Sequence, residues 1–119
     1  MIKNILLGFV AAVTLVACVT VASKQPVNLS NQQLAEIKSV VSYGLIDPDS
    51  AQFREIVAYD AVMSDGSASR FVCGQVNARN RMGGYAGFSY FRGHYVEGKF
   101  VLQMLDGINE SIAMWSCNS

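Results

Sequence analysis

Hydrophobic and polar positions change rhythm three times along this 119-residue chain. Ile5 to Val16 (ILLGFVAAVTLV) is an apolar run broken only by Thr14. Between Leu34 and Leu45 the apolar positions Leu34, Ile37, Val40, Val41 and Leu45 recur at helical spacing, which places them on one face of a helix over about residues 31–43. Ser30 and Gln33 stand where a capping box needs them, and Gly44 can end the helix. From Glu55 onward the period falls to two. Alternation predicts strands at about 55–63, 68–78 and 86–91, then one through Phe100, Leu102 and Met104, and a last edge strand around Ile112–Trp115. On the second strand Phe71 and Cys73 share one face, Val72 and Val76 fall on the other, and Gly74 is a candidate bulge. Asp65-Gly66, Glu97-Gly98 and Asp106-Gly107 mark the turns, the first with positive φ expected at both residues.

Between these regions lie two segments with no period. Residues 18–29 are small and polar with Pro26, as in a tether. Asp47 to Arg54 (DPDSAQFR) holds a Pro that disfavours helix at Asp47, with Asp49 or Ser50 placed to cap a single short helical turn ending near Arg54. One amphipathic helix plus a short turn of helix, packed on an antiparallel meander of four to five short strands, is an α+β domain. The expected organisation is residues 1–17 as signal peptide, 18–29 as tether and 30–119 as the domain. The helix covers one sheet face and leaves the other partly solvated.

The N-terminal run has a chemical sense. Lys3 precedes the apolar stretch, and Leu15-Val16-Ala17-Cys18 follows it. A charged start, a short apolar core and a small residue before the cut form an export signal. The four residues ending in Cys18 resemble the lipobox of bacterial lipoproteins, which implies a lipid on the Cys18 sulfur. Val19 rather than Asp after the Cys implies, by the same resemblance, the periplasmic face of the outer membrane. Two other arrangements keep residues 23–119 outside the cytoplasm: periplasmic or secreted protein cut after Ala22, or an uncleaved inner-membrane anchor over Ile5–Ala22.

Export changes how the cysteines read. With Cys18 lipidated or removed, Cys73 and Cys117 remain. An even remainder in an oxidising compartment predicts one disulfide, closing a loop worth about 4 kcal/mol in the chain-entropy model. Two buried free thiols are the competing arrangement. On a C-terminal strand, Trp115 and Cys117 would share a face and the indole could cover the bridge.

Charge narrows the partners. Lys plus Arg is 9 and Asp plus Glu is 9; without Lys3, 8 cations face 9 anions. That balance gives no support for a nucleic-acid partner. His94 is the lone histidine, so a nucleophile–base–orienter set is not assembled and no enzyme is expected. Two Cys and one His lack zinc-site spacing, and Asp47 with Asp49 falls far short of a calcium loop, so neither metal nor cofactor is expected. Residues 70–95 are more suggestive. They hold Arg70, Arg79, Arg81 and Arg92 and no acid, among Phe71, Tyr85, Phe88, Tyr90, Phe91 and Tyr95. Arg with aromatics builds binding surfaces, which makes Arg79, Arg81, Tyr85, Tyr90, Arg92 and Tyr95 a candidate surface for an envelope protein, lipid or glycan. Alternatively these residues are an ordinary strand core and a solvated face. Asn77 and Asn80 suit turn hydrogen bonds.

The segments Asp47–Arg54 (DPDSAQFR), Val72–Asn80 (VCGQVNARN) and Gly83–Phe88 (GGYAGF) resemble a group of small exported bacterial and prophage proteins and lipoproteins. The resemblance implies a shared fold and an envelope address, and no activity. The helix-then-meander order looks like the outer-membrane assembly lipoproteins of the BamE type, a fold-level analogy. The expected function is a non-enzymatic envelope lipoprotein that binds a partner, with a prophage origin making receptor blocking an option. The alternatives are an outer-membrane assembly accessory and a small secreted enzyme or enzyme inhibitor.

Overall fold

A computed structural model describes residues 19–107 and 110–118. The expected signal segment and Cys18 lie outside the described residues. Five antiparallel strands form one sheet in sequence order: β1 (Val21–Val27), β2 (Gln52–Met63), β3 (Ala68–Asn77), β4 (Ser89–Val96) and β5 (Lys99–Leu105). Helix α1 (Asn31–Tyr43) lies between β1 and β2, and helix α2 (Ile112–Asn118) follows β5. The fold is α+β, as expected, with a helix on each face of the sheet.

Helix α1 starts where its sequence says it should. Ser30 Oγ accepts from Gln33 N at 3.1 Å, and Gln33 Oε1 accepts from Ser30 N at 2.9 Å. Gly44 ends it in a right-handed conformation, so its positive-φ tolerance is not used. The buried stripe Ile37 and Val41 packs on Ala58, Val72, Val76, Phe91 and Phe100. Glu36, off the stripe, accepts from Phe100 N at 2.9 Å and fastens α1 to β5.

The opposite face holds a second core of Ala61, Phe71, Cys73 and Cys117. The alternation of Phe71 and Cys73 against Val72 and Val76 therefore divides the two cores as β3's period requires. Cys73 and Cys117 are joined in a disulfide, their Cα atoms 6.0 Å apart. That bond staples α2 to the middle of β3.

Four expectations are corrected. Residues 21–27 are not tether but the edge strand β1, paired with β2 from Val21↔Met63 to Val27↔Ala58. An edge strand tolerates Pro26, which has no N–H to donate, and needs little apolar alternation. The Asp47–Arg54 segment makes only a 3₁₀ turn at Pro48–Ser50, and β2 begins at Gln52. The C-terminal segment is helix rather than strand: Asp106, nearly buried, accepts from Ala113 N at 2.7 Å and Met114 N at 3.1 Å and caps α2. On a helix, residues two apart point nearly opposite ways, so Cys117 faces the sheet while Trp115 is 70% exposed and covers nothing. Because β1 comes first, the element order is also not simply helix-then-meander.

Bulges sit where alternation did not reveal them. The β2–β3 register shifts between Arg54 and Val57, where Glu55 has φ +54°. Gln103 has no partner between Arg92↔Met104 and Gly93↔Leu102, so Leu105, not Met104, joins Phe100 and Leu102 over the α1 core. Gly74 is not itself the extra residue: the bulge is on β2, where Glu55 and Ile56 stand opposite Gly74, and the β3–β4 ladder runs unbroken from Phe71 to Val76. The missing Cβ of Gly74 leaves room for the Phe91 ring. At the β2–β3 turn only Gly66 has positive φ. Met63 O accepts from Gly66 N, and Met63 N donates to Ser67 O, a longer turn than a two-residue type I′. Glu97-Gly98 does make such a turn, at φ +51° and +78°. The third strand begins at Ser89, three residues later than its pattern suggested.

Candidate functional site

The three segments singled out by resemblance, the first of them 17 residues before the adjacent other two, meet in space at one end of the sheet. Ser50 is buried at their junction. Its hydroxyl donates to Asp47 O at 2.7 Å and accepts from Arg79 N at 2.8 Å, and its carbonyl accepts from Tyr85 OH at 3.0 Å. Arg54 Nε donates to Gln75 Oε1 at 2.9 Å, while its guanidinium lies 3.8 Å from the Phe88 ring centre. Gln75, itself buried, donates onward to Glu55 Oε2 at 2.5 Å. Sequence reasoning considered Ser50 only as a helix cap and Arg54 only as the end of that turn, and gave Gln75 no role. The only signal was that all three fall inside the resembling segments.

This network holds the 79–85 loop in shape. Arg79 and Tyr85 form an isolated bridge, and the Arg79 guanidinium sits 5.9 Å from the Tyr85 ring centre. Asn80 closes the turn: its side-chain oxygen accepts from Met82 N at 2.9 Å and Gly84 N at 3.2 Å. Asn77 Oδ1 accepts from Gly87 N at 3.2 Å. Both Asn residues thus make the turn bonds expected of them. Gly83 and Gly87 have φ +80° and +101°, conformations that a side chain would strain. The stem is rigid and polar, and Arg81, Met82 and the Tyr85 edge project to solvent.

Beside the loop is a hollow of about 300 Å³ between the end of α1, the loop and the end of β5. Leu45, Ile46, Val76, Arg79, Gly87 and Leu105 line it. A second hollow of about 350 Å³ continues past Ala86 and Ser89 toward Tyr90, Glu110 and Met114. Polar residues, among them Asn80, Asp106 and Glu110, share these walls with the apolar ones.

The six-residue surface expected from sequence does not form one patch. Arg79, Arg81 and Tyr85 are together on the loop. Arg92 lies against the Phe71 ring, 4.8 Å from its centre, and donates to Ser116 Oγ at 2.8 Å. Burial makes its charged form less favourable and pushes its pKa down. Tyr90 is on the same α2 face, opposite Gln75 in the ladder. Tyr95 is on the other face, edge-on to Phe100 in the α1 core. Its hydroxyl is buried without a partner among the described residues; burial, then the nearby Glu36 carboxylate, raise its pKa above the ordinary value near 10. β4 alternates, so neighbouring aromatic and Arg positions were divided between faces.

No cluster of three metal-ligating side chains occurs among the described residues. No described helix is long and apolar enough to cross a membrane. No family profile, curated protein or solved structure matches this chain.

Proposed function

We propose that this protein is a non-enzymatic lipoprotein of the bacterial cell envelope, anchored through Cys18, that binds another envelope component at the loop end of its sheet. The Cys73–Cys117 disulfide carries the reading. A bridge that fixes a whole helix to the sheet suits an exported chain, and the apolar leader ending in Leu15-Val16-Ala17-Cys18 supplies the route and the lipidation residue. With both remaining sulfurs joined, neither is available as a thiolate nucleophile, which favours a binding role over cysteine chemistry.

Binding is assigned to the 79–85 loop and the hollow beside it. A braced loop loses little conformational freedom on contact, and Arg79, Arg81 and Tyr85 offer the cation and aromatic pairing typical of contact centres. Intact-mass analysis of the native protein before and after reduction tests the address. The expected species begins at Cys18, carries a diacylglycerol thioether and gains the mass of two hydrogen atoms when an added reductant opens the disulfide. A species beginning at Ser23 would replace the lipoprotein with a secreted form. Pull-down with Arg79→Glu/Arg81→Glu tests the surface: partner recovery should fall at least tenfold, and unchanged recovery would remove the loop from the proposal.

A further inference from the structure

Resting on the lipoprotein reading, we infer that the α2 face of the sheet seats on the lipid bilayer, with Trp115 and Ile112 at the lipid interface. The first observation is the shortness of the link. Thr20 N donates to Ser64 Oγ at 3.0 Å and Thr20 O accepts from Ser64 N at 2.7 Å, so the chain is already fixed to the sheet two residues after Cys18. Two residues of extended chain reach about 7 Å. A lipid on the Cys18 sulfur therefore holds this corner of the domain against the membrane instead of leaving it on a loose leash.

The second observation is what that corner displays. Val21 pairs with Met63, which packs with the Phe71 and Cys73 core on the α2 face. Val19, Val21, Met63, Arg92 and Ser116 line one hollow of about 340 Å³, so the start of the mature chain and α2 flank the same space. Ile112, Trp115 and Ser116 fall within about 100° on a 3.6-residue helix. Ile112 is 66% exposed, Trp115 70% and Val19 53%. Two large apolar side chains thus stand outward on a seven-residue helix that a disulfide holds rigidly in place. A rigid Trp beside aliphatic side chains is the amphipathic arrangement favoured at the headgroup level. Lys24 and Arg92 lie on the same face and make it net basic, although both are engaged within the protein, Lys24 Nζ on Cys117 O at 3.5 Å and over the Tyr59 ring, Arg92 on Ser116 Oγ and over the Phe71 ring. The carboxylates flanking α2 are turned to internal donors, Glu110 to Gly107 N and Glu55 to Gln75.

Trp115 is the chain's sole tryptophan, so its emission reports this site alone. The test uses the native anchored protein in vesicles of phosphatidylethanolamine and phosphatidylglycerol, with and without brominated acyl chains. The expected result is blue-shifted emission, at least twofold quenching by the bromines, and protection from acrylamide. Ile112→Asp, at an exposed first-turn position that tolerates an acid, should return the emission to its water-like value while the anchor mass and vesicle recovery stay unchanged. An anchored protein whose Trp115 emits as in water, or whose quenching is indifferent to Ile112→Asp, overturns the inference and leaves the lipoprotein reading intact. A native chain recovered without lipid and without vesicle association overturns both.

Discussion

At the scale of single residues, the strongest constraints are places where a side chain is missing or unpartnered. A Cβ on Gly93 would overlap the Phe100 ring and the backbone oxygen of Val101. The backbone cannot move aside without disturbing the β4–β5 ladder, so Gly93→Ala should cost about 1–3 kcal/mol by overpacking, read from denaturant midpoints. Tyr95 predicts a pH effect. Its pKa is raised in the folded state by burial and then by Glu36, so the unfolded chain loses the phenolic proton first. The contribution is fully present below about pH 10 and is lost as pH rises through the folded value. Tyr95→Phe should flatten the alkaline loss of stability and, by removing an orphaned hydroxyl, leave neutral-pH stability unchanged or higher. Thermal melts from pH 7 to 11 compare the two.

At the scale of elements, α2 depends on attachments outside itself. Seven residues are too few for a stable isolated helix. Its supports are the Asp106 cap, Ala113 against the sheet and the bridge to Cys73. Cys73→Ser/Cys117→Ser should lower stability by about 4 kcal/mol on the loop-entropy scale and release α2, seen as lost protection of its amides in hydrogen exchange. The β4–β5 turn gives a prediction of opposite sign. Glu97 occupies a left-handed conformation that Asn adopts more readily, so Glu97→Asn should raise stability by up to about 1 kcal/mol, visible as a higher denaturation midpoint.

For the whole molecule, β1 changes the picture most. It turns a supposed leash into part of the sheet, and it covers the long edge of β2. A chain beginning at Asn28 should leave β2 open for pairing with a second copy, so size-exclusion chromatography is expected to show it as larger species than the chain that keeps β1. Under the proposed anchor at Cys18, the same strand would hold the fold close to the membrane.

Periodicity and punctuation made much of this legible. The Ser30–Gln33 box fixed the start of α1, the Leu34–Val41 stripe its buried side, the Glu97-Gly98 pair its hairpin, and the alternation around Phe71 to Val76 the division between two cores. These are local preferences, governed by neighbours within a few residues. The disulfide followed from counting cysteines under the expectation of export. Tertiary structure decided the rest. Residues 21–27 became a strand because β2 offered an unpaired edge, and residues 112–118 became a helix because the Asp106 carboxylate caps them and Cys73, 44 residues from Cys117, holds them. The Arg and aromatic positions of 79–95 were divided among a loop and two faces by strand register. The Ser50 junction joins segments whose separation along the chain hides their contact. Hydrogen-bond donors and core volume are shared across such distances only after the chain has folded, so no window of neighbouring residues could have displayed them.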